Sequence, residues 1–166
     1  GFVESESNLS FEPDDTAWIF DDAIACNDAY VDKGAVLRGE VVVCDNAYIS
    51  MGAVLSGHAR VEDNAYVRGA VLNASARASG FSMILNDKDT MGVPILSGHC
   101  AVYGKVSGDV RLTGSALVIS GEEIRNDTLD TLVISGKNRS VIRDSSRDEL
   151  ASQQPAPSPP QETERL

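Results

Sequence analysis

The chain reads as an all-β, single-stranded parallel β-helix with three-sided coils. Three observations predict it: a six-residue repeat, a recurrence every 18 residues, and turn-forming residues at fixed offsets. Small residues recur at every sixth place, at Ala17, Ala23, Ala29, Ala35, Val41, Ala47, Ala53, Ala59 and Ala65. Two places after each stands Ile19, Ala25, Val31, Leu37, Val43, Ile49, Leu55, Val61 or Val67. In extended chain, first and third side chains point to the same side, so every unit offers one small and one larger inward group. The fifth and sixth places hold Gly, Asp or Asn in most units, as in Asp45-Asn46 and Asp63-Asn64. Those residues tolerate the positive φ that a sharp corner needs. Short strands that always turn the same side inward must wind in one sense and cannot fold back as hairpins.

The longer period sets the number of sides. Tyr30, Tyr48 and Tyr66 are 18 residues apart, as are Cys26 and Cys44. Gly34-Ala35-Val36-Leu37 returns at Gly52-Ala53-Val54-Leu55, and again at Gly69-Ala70-Val71-Leu72 only 17 later, where one corner has lost a residue. Three hexads per coil make a triangular prism of about six coils. Its successive rungs stack roughly 4.8 Å apart. Aromatics are scarce, at 5%, which suits a narrow interior filled by Ala and Val.

Taken in order, residues 1–16 lack the hexad and are expected to lie across the first coil as an N-terminal cap, since open prism ends expose strand edges. Residues 17–143 form the β-helix. A loop extruded from a corner interrupts it at 86–97, around Asp87-Lys88-Asp89 and Val93-Pro94. Units then resume at Gly98, Gly104, Val110 and Ala116, placing Cys100, Val106, Leu112 and Val118 inward. Leu117-Val118-Ile119-Ser120-Gly121 is echoed 15 residues later at Leu132-Val133-Ile134-Ser135-Gly136, so a distortion is expected around Glu122 to Asp130. Residues 144–166 are rich in Pro, Ser and Gln and are expected to be a disordered tail.

The formal net charge of -11 argues against nucleic acid, because phosphate binding needs Lys and Arg to displace counterions. It argues equally against anionic membrane surfaces. No apolar run approaches the roughly 18 residues of a membrane span, and no signal peptide is visible. Three cysteines, Cys26, Cys44 and Cys100, form no dense framework and fit a reducing cytosol. A cytoplasmic location is therefore expected.

Hexads such as Ala47-Tyr-Ile-Ser-Met-Gly and Ala59-Arg-Val-Glu-Asp-Asn resemble the bacterial hexapeptide-repeat superfamily, whose β-helices are left-handed. A closer likeness is to YdcK-like proteins of enteric bacteria. It is carried by the lead-in Gly1-Phe-Val-Glu-Ser-Glu-Ser-Asn-Leu-Ser, by Trp18-Ile-Phe-Asp and by Pro94-Ile-Leu-Ser-Gly-His-Cys-Ala-Val-Tyr-Gly, and covers about residues 1 to 143. The resemblance implies an acyltransferase-like activity, with acyl-CoA as possible co-substrate. It also implies a homo-oligomer, a trimer by the superfamily's habit, with a histidine as general base.

The chain has two histidines, and both are candidate catalytic residues. His58 falls at a corner, in Ser56-Gly57-His58-Ala59; His99 falls at an outward strand position, in Ser97-Gly98-His99-Cys100. An unshifted imidazole titrates near neutrality and can take a hydroxyl or amine proton. No orienting carboxylate can be assigned to either. Arg38-Gly-Glu40 is similar to a strand of zinc-dependent carbonic anhydrase-like members, but their sites need three histidine ligands. Two histidines 41 residues apart cannot supply them, so no metal is expected and Arg38 and Glu40 are read as a surface ion pair. Cys26 and Cys44 are read as stacked free thiols.

Second positions point outward. Tyr30, Tyr48 and Tyr66 make one outward ladder, and Trp18, Val36, Val54 and Val71 another on the adjoining face. Two apolar faces demand cover, and both ladders are candidate interfaces for self-association. Two functions stay open: an acyltransferase-like enzyme, and a non-catalytic β-helix used as a scaffold or binding module.

Overall fold

The structure is a computed structural model that describes residues 1–143. It is a left-handed β-helix of about seven parallel coils, one more than the repeat alone predicts. Three sheets of seven, six and eight strands form its sides, parallel throughout except for the last strand of the eight. Most strands are two residues long, and the hexad's first and third positions fill the interior. Ala23, Ala29, Ala35, Ala53 and Ala59 are fully buried, as are Val31, Leu37, Ile49, Leu55 and Val61. Each large aliphatic side chain so buried contributes about 1.5–3 kcal/mol.

The three faces are named here by their outward second positions. The valine face carries Trp18, Val36, Val54, Val71 and Ile95 in register. The arginine face carries Phe2, Ile24, Val42, Arg60 and Arg77. The tyrosine face carries Tyr30, Tyr48, Tyr66, Met83, Lys105 and Glu123.

Corners are built by positive φ. Asn27, Asp45 and Asp63 sit at φ between 56° and 59° where the arginine face turns into the tyrosine face. Such a residue turns its own N–H out of the ladder, and that donor needs a partner. The side chain one coil earlier supplies it. Asn27 Oδ1 accepts from Asp45 N at 3.1 Å, Asp45 Oδ2 from Asp63 N at 3.0 Å, and Asp63 Oδ2 from Gly80 N at 2.9 Å. The Asp and Asn of the corners therefore serve twice, as left-handed residues and as acceptors.

The ends and the interruption differ from the expectation. Phe2–Val3 does not lie across the first coil; it pairs in parallel with Ile24–Ala25. Asn8 is fully buried, and its Nδ2 donates to the carbonyls of Asn27 at 3.0 Å and Ala29 at 2.8 Å. Leu9 bridges to Val31. The N-terminal segment is thus a partial coil, which accounts for the extra turn.

The loop is shorter than 86–97, because Ile95–Leu96 is a strand paired with both Val71–Leu72 and Arg111–Leu112. Pro94 is buried at a first position, where it needs no N–H and its carbonyl accepts from Val71 N at 2.9 Å. The first unit after the loop starts at Pro94 and the next at Cys100, not Gly98, while Cys100, Val106, Leu112 and Val118 are all fully buried as the repeat predicts. Arg77 pairs with Ala101 and Ala78 with Val102, so Cys100 takes the small first position and Val102 the third.

The 15-residue echo is not a distorted repeat. Leu117–Val118 belongs to the arginine face and Leu132–Val133 to the valine face. Between them Glu123–Asn126 is a regular strand of the tyrosine face. Thr131–Ser135 then turns into Asn138–Ile142, an antiparallel strand that ends the parallel ladder. The predicted tail, 144–166, lies outside the described residues. Among the described residues no helix is long and apolar enough to cross a membrane.

Candidate functional site

The corner between the valine and arginine faces brings the two histidines onto one edge. Gly39, Gly57 and Gly98 make this corner at φ of 66°, 68° and 67°. A Cβ on Gly57 would stand 3.0 Å from the backbone N and O of Ala74, so glycine is required there by both torsion and space. Ala74 takes the same place at φ of 53°, and the residue after each of these corner positions is held by the next coil. Glu40 N donates to Gly57 O at 2.8 Å, His58 N to Ala74 O at 2.7 Å, Ser75 N to Gly98 O at 2.8 Å and His99 N to Gly114 O at 2.8 Å. Glu40, His58, Ser75 and His99 therefore stack on successive coils. The two histidines, 41 residues apart in sequence, are two rungs apart, roughly 10 Å.

His58 has the orienting carboxylate that the sequence did not reveal. Its Nδ1 lies 2.9 Å from Glu40 Oε1, with both side chains exposed, at 68% and 62%. A carboxylate on Nδ1 selects the tautomer that leaves Nε2 free to accept a proton. His99 is at a turn and not, as expected, at an outward strand position, because the next unit starts at Cys100. The expected Arg38–Glu40 pair does not form: Glu40 engages His58, and Arg38 lies 4.3 Å over the Phe20 ring.

The outward ladders stand as their register predicts. Trp18 is 55% and Val54 37% exposed on the valine face, and Ile95 extends that row. On the tyrosine face Tyr30, Tyr48 and Tyr66 stack at ring-centroid distances of 5.8 and 5.1 Å. The Tyr48 hydroxyl donates to Asp32 Oδ2 at 2.8 Å, and Ser50 Oγ donates to Asp32 Oδ1 at 2.6 Å. The tyrosines are half-buried by one another. The valine face is thus the barer of the two apolar faces.

On the arginine face, Glu62 is buried between two arginines. It accepts from Arg60 Nε at 2.6 Å, from Arg77 Nε at 2.9 Å, from Ser79 Oγ at 2.9 Å and from Arg77 Nη2. Burial raises the carboxyl pKa, but the Arg and Ser hydrogen bonds outweigh it and hold it at about 2. The three cysteines are free. Burial pushes the Cys44 and Cys100 thiols up to about 11, so neither is an activated nucleophile.

A cationic groove was not legible in the sequence. Arg68, Lys88, Lys105 and Arg125 line one groove of about 410 Å³ beside the extruded loop. They are scattered over nearly 60 positions of an acidic chain. Only the coil register and the loop bring them together. The signal that could find three of them is the frame resumed at Gly104, which sets Lys105 and Arg125 on the face of Arg68; Lys88, on the loop, has no such signal. Comparison with known proteins finds no matching family model, no matching curated protein and no matching solved structure, so the likeness to hexapeptide-repeat proteins rests on the repeat and the β-helix.

Proposed function

We propose that this chain is an acyltransferase-like hexapeptide-repeat protein that works as a homo-oligomer, with His58 as general base. The observation that carries the reading is the Glu40–His58 contact at 2.9 Å. In the reaction, an acceptor hydroxyl or amine attacks the thioester carbonyl of acyl-CoA while His58 Nε2 takes its proton. The acyl–sulfur bond breaks, and the CoA thiolate leaves and takes up a proton. Glu40 holds Nδ1 and stabilises the imidazolium that forms. His99, two rungs away on the same edge, is the second candidate base.

An exposed dyad is a weak catalyst, because water screens it. The valine face adjoins the histidine edge, and a second copy packed on Trp18, Val54 and Ile95 would turn that edge into the wall of a cleft. Mass by light scattering on a size-exclusion column tests this part. Val54→Glu is expected to shift a trimer to monomer. CoA thiol release from acetyl-CoA over a panel of hydroxyl and amine acceptors tests the chemistry. His58→Ala is expected to lose about 10²–10⁴-fold. Undiminished rates in both His58→Ala and His99→Ala would end the enzymatic reading. The valine face itself favours a second reading, a non-catalytic scaffold. Assembly that Val54→Glu abolishes, with no thiol release from the wild type, would select it.

A further inference from the structure

We propose that the groove beside the extruded loop binds a small phosphomonoester, within a single subunit and independently of acyl transfer. Its wall is a register column: Arg68, Leu85, Ser107 and Arg125 stand opposite one another on successive strands of the tyrosine face. Lys105 flanks this column on the same face, and Lys88 closes the groove from the loop.

Arg68 is fixed in advance. Its Nε donates to Asn86 Oδ1 at 2.8 Å and its Nη2 to the Asn86 carbonyl at 2.9 Å. Asn86 can sit there only because residue 69 is glycine; a Cβ on Gly69 would lie 2.7 Å from Asn86 Cγ. The loop that carries Lys88 is shaped by its own bonds. Asp87 N donates to Gly92 O at 2.9 Å, and Asp87 Oδ1 accepts from Asp89 N at 2.9 Å.

The remaining cations are loosely held. Lys105 reaches Glu123 only at 3.9 Å and Arg125 reaches Asp127 only at 4.0 Å. Lys88 makes no ion pair among the described residues. Within the groove, Asp87 and Glu123 offset only two of the four cations. The excess of two positive charges, on a chain of formal charge -11, matches a phosphate dianion. One fixed guanidinium, a second that is free to turn, two ammonium groups and a serine hydroxyl suit phosphate oxygens. The volume, about 410 Å³, lies toward the small end of ligand sites, which span roughly 300–1,000 Å³. It fits a sugar phosphate in preference to an elongated nucleotide thioester.

Isothermal titration calorimetry on the full chain tests this, with glucose 6-phosphate as probe and glucose, inorganic phosphate and acetyl-CoA as comparisons. Glucose 6-phosphate and phosphate are expected to bind one per chain, more weakly as salt rises, and glucose not at all. Lys88→Ala and Arg125→Ala are each expected to weaken binding about tenfold. Both residues are at the surface, so a thermal melt will show the fold unchanged. Absence of glucose 6-phosphate binding would overturn the proposal. So would unchanged affinity in the Lys88→Ala/Arg125→Ala double variant, or acetyl-CoA binding lost in that variant without any sugar phosphate binding. Failure of acyl transfer in the wild type leaves the proposal standing.

Discussion

The coils before the loop and the coils after it share an interior and differ on the outside. Before the loop, the valine face presents Trp18, Val36, Val54 and Val71 and the tyrosine face presents three tyrosines and Met83; after it, the valine column continues as Ile95, Arg111 and Val133 and the tyrosine column as Lys105 and Glu123. Strands lengthen as well, from two residues at Val54–Leu55 to four at Lys105–Gly108 and Val110–Thr113. Inward, nothing changes: Leu55 and Leu112 are both fully buried on the valine face. One winding rule therefore supports two surfaces. On the tyrosine face the early coils offer stacked rings and the late coils offer charge to a solute. The extruded loop, Asn86 to Pro94, marks the change on that face.

The largest expected effects test the shared interior. Leu55→Ala and Leu112→Ala should each cost about 2–5 kcal/mol of unfolding free energy, by lost transfer energy plus the cavity left in a narrow prism. Denaturant titration reads both. A cost below about 1 kcal/mol for Leu112→Ala alone would mean that the late coils collapse around the gap, and the interior would not be uniform.

That interior was legible because its residues obey a local rule. The alternation of Ala35 and Leu37, or of Ala53 and Leu55, is set by the pleat, and the Tyr30–Tyr48–Tyr66 spacing reports the coil length directly. The errors came where a position was filled by an unexpected residue. Cys100 and Pro94 occupy first positions that are mostly alanine in the earlier coils, so the unit reads as starting at Gly98 and His99 as lying on a strand. The Glu40–His58 contact was missed because Glu40 was assigned to Arg38 within its own coil, whereas the corner stacks it under the next. The groove is not legible because its cations come from three coils and a loop, and no repeat reports the path of the loop against the coils.

A middle-sized effect tests a charged band on the arginine face, where outward Ile24 and Val42 give way to Arg60 and Arg77 before Ala101 and Leu117 follow. Glu62 neutralises charge in that band. Its carboxyl is held at about 2 against an ordinary 4.5, so its folded pKa is depressed. Such a group contributes stability that is fully present above about pH 4.5 and is lost as pH falls toward 2. With the arginines about half exposed, solvent screening reduces the contribution to about 1–2 kcal/mol. Glu62→Gln should therefore be less stable than wild type by that amount at pH 7 and equal to it near pH 2. A difference that persists at pH 2 would assign the loss to packing instead of charge.

The smallest expected effect on stability is at the histidine edge, which separates a structural carboxylate from one free to do chemistry. Glu62 and Glu40 are both acidic residues paired to a base on a neighbouring coil, but Glu62 is buried beneath two arginines while Glu40 and His58 lie mostly in water. An exposed pair of this kind contributes no more than about 1 kcal/mol. Glu40→Gln and His58→Ala should therefore melt within a few degrees of wild type, and raising salt should erase what difference there is. The two variants part company in the acetyl-CoA assay. Glu40→Gln retains an imidazole but loses the carboxylate that holds Nδ1. It is expected to keep a measurable but reduced rate, whereas His58→Ala loses the proton acceptor altogether. A large loss of melting temperature in Glu40→Gln would return the dyad to the scaffold, as a strut of the corner like Glu62. An unchanged melt with a reduced rate would place it in the chemistry.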